Sequence, residues 1–228
     1  MSAGKTVSIS PSLAAAPMDR LGQVVRELEA AGADMIHFDV EDGSFAPVMT
    51  LGTKLIGDLR PLSRLPFDVH LMMVNPEWII PQLVRDGANR IAVHYEACPY
   101  PRRTLRLIAG AGALAGLAFN PATPVPHLEY LRPYLGFVLI LTSEPELPDA
   151  AYLADGLRKL RQARMLPGLE GLEWVVDGGL NAANLSEAGE AGADTVVIGR
   201  AVFQGGQIAA NLARLRGALR GAEPEGES

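Results

Sequence analysis

Eight short apolar runs, each parted from the next by a helical or turn segment, constrain this chain more than any other feature. They lie at Val7 to Ile9, within Asp34 to Gly43, and at Phe67 to Leu71, Arg90 to Val93, Leu114 to Phe119, Phe137 to Leu141, Leu172 to Val176 and Thr195 to Ile198. Runs this short and this continuously apolar read as parallel strands covered by helices. Helical spacing separates most of them, as in Leu21, Val24, Val25, Leu28 and Ala31 of a helix that Pro17 opens, and Pro76 opens another that Gly87 ends. A short helix is also expected around Leu128, between strands five and six. An internal echo supports the alternation. Ala31-Gly32-Ala33-Asp34, Asp86-Gly87-Ala88-Asn89 and Ala191-Gly192-Ala193-Asp194 each close a helix and feed a strand. Glycine suits the helix C-cap and the small polar residue suits the return turn. Eight βα units in 228 residues predict an α/β protein with a single (β/α)8 TIM barrel. A doubly wound sheet is disfavoured, because no glycine-rich phosphate fingerprint follows strand one. The barrel is expected over residues 6–220, with residues 1–5 and the acidic tail 221–228 (GAEPEGES) disordered.

Apolar content of 48% supplies a core, and a net charge of −6 argues against a nucleic-acid surface. The single cysteine, Cys98, excludes an intrachain disulfide and suits a reducing compartment. The first residues lack the apolar core of a signal peptide, and no apolar run is long enough to span a membrane. A soluble cytoplasmic protein without membrane or nucleic-acid partners is the expectation.

Strand two carries the first chemistry. His37, Asp39 and Glu41 recur with period two and share one face. Polar residues also gather at the C-terminal ends of other strands: Ser12, His70, Asn120 and Asp177. In a barrel those ends converge on one mouth, where catalytic groups sit. A lone histidine at a strand end is ordinarily a polar terminus. Together, His37, Asp39, His70 and Asp177 form a set that can hold one divalent cation such as Zn, Fe, Mn or Co. Asp42 reads as a turn organiser, Asp68 as structural, and His94 and His127 as packing or solvent-facing. A phosphate site is expected from Gly178 and Gly179 after strand seven and from Gly199 and Arg200 after strand eight. The Arg200 guanidinium is a forked donor suited to phosphate or carboxylate.

Five pieces occur in order along the chain: Ser10-Pro11-Ser12-Leu13, His37-Phe38-Asp39-Val40 with Asp42-Gly43, Asp68-Val69-His70-Leu71-Met72, Asn120-Pro121-Ala122-Thr123-Pro124 and Val176-Asp177-Gly178-Gly179. On these pieces, and over nearly its whole length, the chain resembles ribulose-phosphate 3-epimerases and their sugar-phosphate epimerase relatives. The resemblance implies that His37, Asp39, His70 and Asp177 bind the metal, and that Asp39 and Asp177 are the acid/base pair. It implies that Ser12 contacts a phosphorylated sugar and that Met72 lines its pocket. The implied reaction inverts the carbon beside a ketose carbonyl through a cis-enediolate, with ribulose 5-phosphate as the default substrate. A homo-oligomer, either dimer or hexamer, is also implied.

Four features depart from the family pattern. Glu41 stands where the family usually has methionine, and a metal, substrate or acid/base role is expected of it. The stretch Leu141-Thr142-Ser143-Glu144-Pro145-Glu146-Leu147-Pro148 lacks the usual flexible glycines and adds two carboxylates that repel phosphate. Arg200 replaces a small residue, which is similar to sugar-phosphate decarboxylase relatives, yet strand three lacks their Asp-x-Lys-x-x-Asp set. Ser44 and Val48 replace the usual His and Asn. A sugar-phosphate-binding barrel without turnover, and a metal-dependent lyase or isomerase using the same enediolate, are the alternatives.

Overall fold

The computed structural model describes residues 6–145 and 150–220. The expected disordered ends and residues 146–149 of the strand-six loop lie outside the described residues. The strands are β1 (Ser8–Pro11), β2 (Ile36–Glu41), β3 (Phe67–Met72), β4 (Arg90–His94), β5 (Leu114–Phe119), β6 (Phe137–Leu141), β7 (Glu173–Asp177) and β8 (Thr195–Ile198). The helices are α1 (Leu21–Ala30), α2 (Lys54–Leu59), α3 (Ile80–Arg85), α4 (Pro101–Ala111), α5 (Asp155–Arg164), α6 (Leu185–Glu190), α7 (Arg200–Phe203) and α8 (Ile208–Leu219). All paired strands are parallel, in the order β1-β8-β7-β6-β5-β4-β3-β2, and a bridge between Ser12 and His37 joins the two ends. This is the expected (β/α)8 barrel.

Two differences from the sequence reading concern helices. The β5–β6 crossover carries only a 3-10 turn, Glu129–Leu131, where a short helix was expected. Pro17 and Pro76 each open a 3-10 turn before α1 and α3, rather than the α-helix itself. Proline suits the start of either kind of turn, where its missing N–H would have no partner, and α4 begins at Pro101 itself.

The alternation along each strand sorts residues between two layers. Ile36, Phe38 and Val40 of β2 pack outward against the helices, as do Trp174 and Val176 of β7. Inside the barrel a smaller apolar cluster contains Ala92, Ala118, Phe137, Leu139, Leu141, Val175 and Val197. The Phe137 ring uses the room left by Gly116, where a Cβ would stand 2.2 Å from its Cζ. Polar and charged side chains fill much of the remaining interior, Asp68, His70, Arg90 and His94 among them. Arg90 lies beneath the mouth, donating through Nε to Asp68 at 2.9 Å and through Nη1 to Glu173 at 2.8 Å, with its guanidinium over Phe137.

The glycine echo has a structural reason. Gly32, Gly87 and Gly192 all take positive φ, at 76°, 104° and 95°. The polar residue two positions later then accepts a backbone N–H from the preceding strand or its edge. Asp34 takes Ile9 N, Asn89 takes Phe67 N and Asp194 takes Trp174 N, each at 2.8 Å. Three strand pairs, β1–β2, β3–β4 and β7–β8, are thus clamped at the end opposite the mouth.

Removing the Arg90 charge leaves Asp68 buried and without its strongest counter-charge. Arg90→Met is expected to cost about 3–5 kcal/mol of stability, the usual cost of orphaning one half of a buried ion pair, as read from urea unfolding.

Candidate metal centre and active-site pocket

The period-two face of β2 points into the barrel, as expected. Register does the rest. In the β2–β3 pairing Asp39 lies opposite His70 and His37 opposite Asp68. Asp177 arrives from the end of β7. One ligand atom from each of His37, Asp39, His70 and Asp177 lies within 4.8 Å of the others, so this group can hold a metal ion. His37 Nε2 is 3.2 Å from Asp39 Oδ1 and 3.7 Å from Asp177 Oδ2. His70 Nδ1 is 3.4 and 3.5 Å from the same two oxygens.

The fit to a divalent cation rests on one atom in particular. His70 Nδ1 is buried between two carboxylates and has no hydrogen bond of ordinary geometry. A buried polar atom left unpaired is costly, and a cation would satisfy it. Two imidazole nitrogens and two carboxylate oxygens are a donor set that Zn, Fe, Mn and Co all accept.

The electrostatics match that reading. Burial disfavours charge on His37, but the Asp39 and Asp68 carboxylates raise its pKa well above the usual imidazole range. Burial opposes charge on His70 too, and Asp177 and Asp39 outweigh it. Burial would also raise Asp39, yet His37 and His70 hold its carboxyl far below the usual carboxylate range. The three carboxylates thus draw positive charge onto the imidazoles. A bound cation supplies that charge instead and releases the protons.

Above the cluster opens a cavity of about 560 Å³, the size that small metabolites occupy. Ser12, just past β1, lines it together with Asp39, Glu41, Met72 and Asp177 from β2, β3 and β7. Gly178, Gly179, Gly199 and Arg200 line it from the loops after β7 and β8. Every residue expected from the sequence to touch substrate therefore meets in one cavity, while His37 and His70 lie fully buried beneath it. Ser12 donates to Asp39 Oδ2 at 2.5 Å. Gly178 takes φ 116° where Ser143 comes so close that a Cβ would stand 2.3 Å from Oγ. Glu41 lies on the wall, outside the four clustered residues. Its carboxylate accepts Thr50 N at 2.6 Å and Thr50 Oγ1 at 3.3 Å, and burial raises its pKa.

Three neighbours of the site had no functional signal in the sequence. Asp68 is fully buried within β3, and its Oδ2 accepts from His37 Nδ1 at 2.8 Å. Burial would raise its pKa, but Arg90 and His37 bring it down to about 2. His94 packs behind His70, and Glu96 behind His94. The period-two position of Asp68 before His70 was visible, but the register that puts it against His37 was not. His127, by contrast, is 68% exposed in its side chain.

A barrel mouth where two buried histidines and two carboxylates that could hold a metal ion meet beneath a metabolite-sized cavity fits the class of TIM-barrel enzymes. Comparison with known proteins narrows this class. The chain belongs to the ribulose-phosphate 3-epimerase family, whose model matches residues 8–203. It is similar to the ribulose-phosphate 3-epimerase of Synechocystis, 38% identical over 220 residues that cover 95% of this chain and 96% of that one. The Bacillus subtilis ribulose-phosphate 3-epimerase is 36% identical over 214 residues, covering 92% and 99%. Among solved structures, orotidine 5'-phosphate decarboxylase from Pyrococcus horikoshii superposes with a TM-score of 0.67, covering 93% of this chain and 99% of that one. At 15% identity that likeness shows the barrel fold alone. The protein is an epimerase-type enzyme of the isomerase class.

Asp68 holds the His37 ring by its far nitrogen, as residues behind metal-binding histidines commonly do. Asp68→Asn is expected to weaken divalent-metal affinity by about 10–100-fold in chelator competition. Ser10→Ala, which removes only a 3.4 Å contact to the same carboxylate, is expected to leave that affinity unchanged.

Proposed function

We propose that this chain is a ribulose-phosphate 3-epimerase, inverting the carbon next to the carbonyl of a ketopentose phosphate. The observation that carries the reading is the His37–Asp39–His70–Asp177 cluster at the floor of the cavity in a chain of this family. His37, Asp39, His70 and Asp177 would hold one divalent ion, of Zn, Fe, Mn or Co. When bound, that ion supplies Lewis-acid stabilisation of negative charge on the substrate oxygens.

The proton transfers belong to Asp39 and Asp177. Inversion removes a proton from one face of a carbon and returns one to the other, so two groups are needed. Both carboxylates line the cavity, and they come from well-separated strands. One takes the proton, the electron pair moves into an enediolate, and the other delivers a proton to the opposite face. Their roles exchange with the direction of reaction. Asp39 is poised as a carboxylate by His37 and His70, while Ser12 fixes its second oxygen. Met72 gives the enediolate an apolar, water-poor wall.

The phosphate is assigned to Gly178, Gly179, Gly199 and Arg200, where barrels commonly bind it. Glu41 stands with them on the wall and is assigned to a substrate hydroxyl. A barrel that only binds sugar phosphate is disfavoured, since both proton-transfer carboxylates remain in place. A lyase would need a leaving carbon that nothing at the site selects. The same reading makes the enzyme a cytoplasmic homo-oligomer of carbohydrate metabolism, a pentose-phosphate enzyme; light scattering tests its assembly.

Solvent-deuterium exchange followed by NMR tests the function. With metal present, ribulose 5-phosphate is expected to exchange its C3 proton and to yield its epimer. No exchange from any pentulose, tetrulose or hexulose phosphate, despite bound metal, would sink the reading. Asp39→Asn and Asp177→Asn are each expected to slow epimerisation by about 10²–10⁴-fold, the usual weight of a positioned acid or base.

A further inference from the structure

The two histidines of the cluster offer different nitrogens. His37 turns Nε2 to the carboxylates, and its Nδ1 is held by Asp68. His70 turns Nδ1 to them, and its Nε2 meets no carboxylate. It faces the Nε2 of His94 at 2.9 Å. The two ring planes lie 23° from parallel with centroids 4.9 Å apart, and the separation of the two nitrogens is that of an N–H···N bond. Between two imidazoles such a bond has no inherent direction: one nitrogen donates and the other accepts.

Residues further out supply the direction. His94 Nδ1 lies 3.2 Å from Glu96 Oε2. The other Glu96 oxygen accepts the backbone N–H of Asn120 at 2.8 Å. The Asn120 carbonyl is itself held by Lys159 Nζ at 2.6 Å, which also reaches Pro121 O and Thr123 O. A carboxylate can only accept, so His94 carries its proton on Nδ1 and presents a lone pair at Nε2. That lone pair takes the Nε2 proton of His70. The ring of His70 is then left with Nδ1 facing Asp39 and Asp177, where a metal would bind. Phe45 closes the near side of His94, its ring centroid 4.5 Å away, and the imidazole is fully buried.

We propose that His94 and Glu96 are a positioning pair. They fix the proton of His70 on Nε2 and so keep Nδ1 open to a divalent cation. The inference rests on the metal reading above, and it adds two residues that touch neither metal nor substrate. Only an acid at position 96 satisfies both neighbours. Glutamine can accept from one of them but must offer its amide to the other. If that amide faces His94, the proton order runs backwards and ends on His70 Nδ1.

Two measurements on zinc test it. The chain has four histidines, so nitrogen-15 NMR can resolve each ring. In the zinc-loaded protein the expected pattern is a protonated Nε2 on His70 and a protonated Nδ1 on His94. A proton on Nε2 of His94 overturns the proposal. In chelator competition, His94→Leu and Glu96→Gln are expected to lose about 10–100-fold in zinc affinity. His94→Gln is expected to recover most of it, since its carbonyl can accept from His70 and its amide can donate to Glu96. Wild-type protein that takes up no zinc defeats the metal reading and this role with it. Wild-type protein that binds zinc no better than a folded His94→Leu variant defeats this role alone. If His94→Leu does not fold, the NMR pattern of the wild type and the His94→Gln affinity still decide.

Discussion

The pairing of β2 with β3 is the constraint on which the site depends. It sets Asp39 beside His70, His37 beside Asp68 and Glu41 beside Met72 in a single stroke. Side chains alternate faces along a strand, so a slip of one residue would turn His37 and Asp39 outward among the helices. The outward residues Ile36, Phe38 and Val40 would then enter a polar interior. Burying apolar bulk on one face of β2 is therefore what holds the ionisable groups on the other.

From that register grows a column of charge through the barrel. Glu173 meets Arg90, Arg90 meets Asp68, Asp68 meets His37, and His37 meets Asp39, to which Ser12 donates. Each step places opposite charges, or a donor and an acceptor, in contact. Charges inside a protein persist only when paired in this way. The cluster at the mouth thus stands on an ion pair at the floor, and the orientation of His37 follows from residues that never approach the cavity.

Much of this was legible in the sequence. The strands β5, β6 and β8 fall on the residues that apolar continuity marks, and the period of two in His37, Asp39 and Glu41 gives the inward face directly. All the expected cavity residues line one cavity, because a barrel gathers its strand ends whatever the loops do. The 3-10 turn between β5 and β6 was less legible, since a few apolar residues around Leu128 suit either kind of helix. Asp68, His94 and Glu96 were hidden for a different reason. Their meaning lies in which partner stands across the next strand, and register is a property of pairing rather than of any one segment. Glu41 stood out in the sequence, but its bond to Thr50 depends on the path of the loop that follows β2.

The three clamps made by Asp34, Asn89 and Asp194 divide the barrel into a foundation and a superstructure. Each ties neighbouring strands together at the end away from the mouth, through a side chain that has no part in the cavity lining. The loops over the cavity bear little of that load. Glu41, Ser143 and Glu144 all belong to the upper end, where they line the cavity. Substrate preference in such a molecule is written at one end and architectural inheritance at the other, so the two can evolve at different speeds.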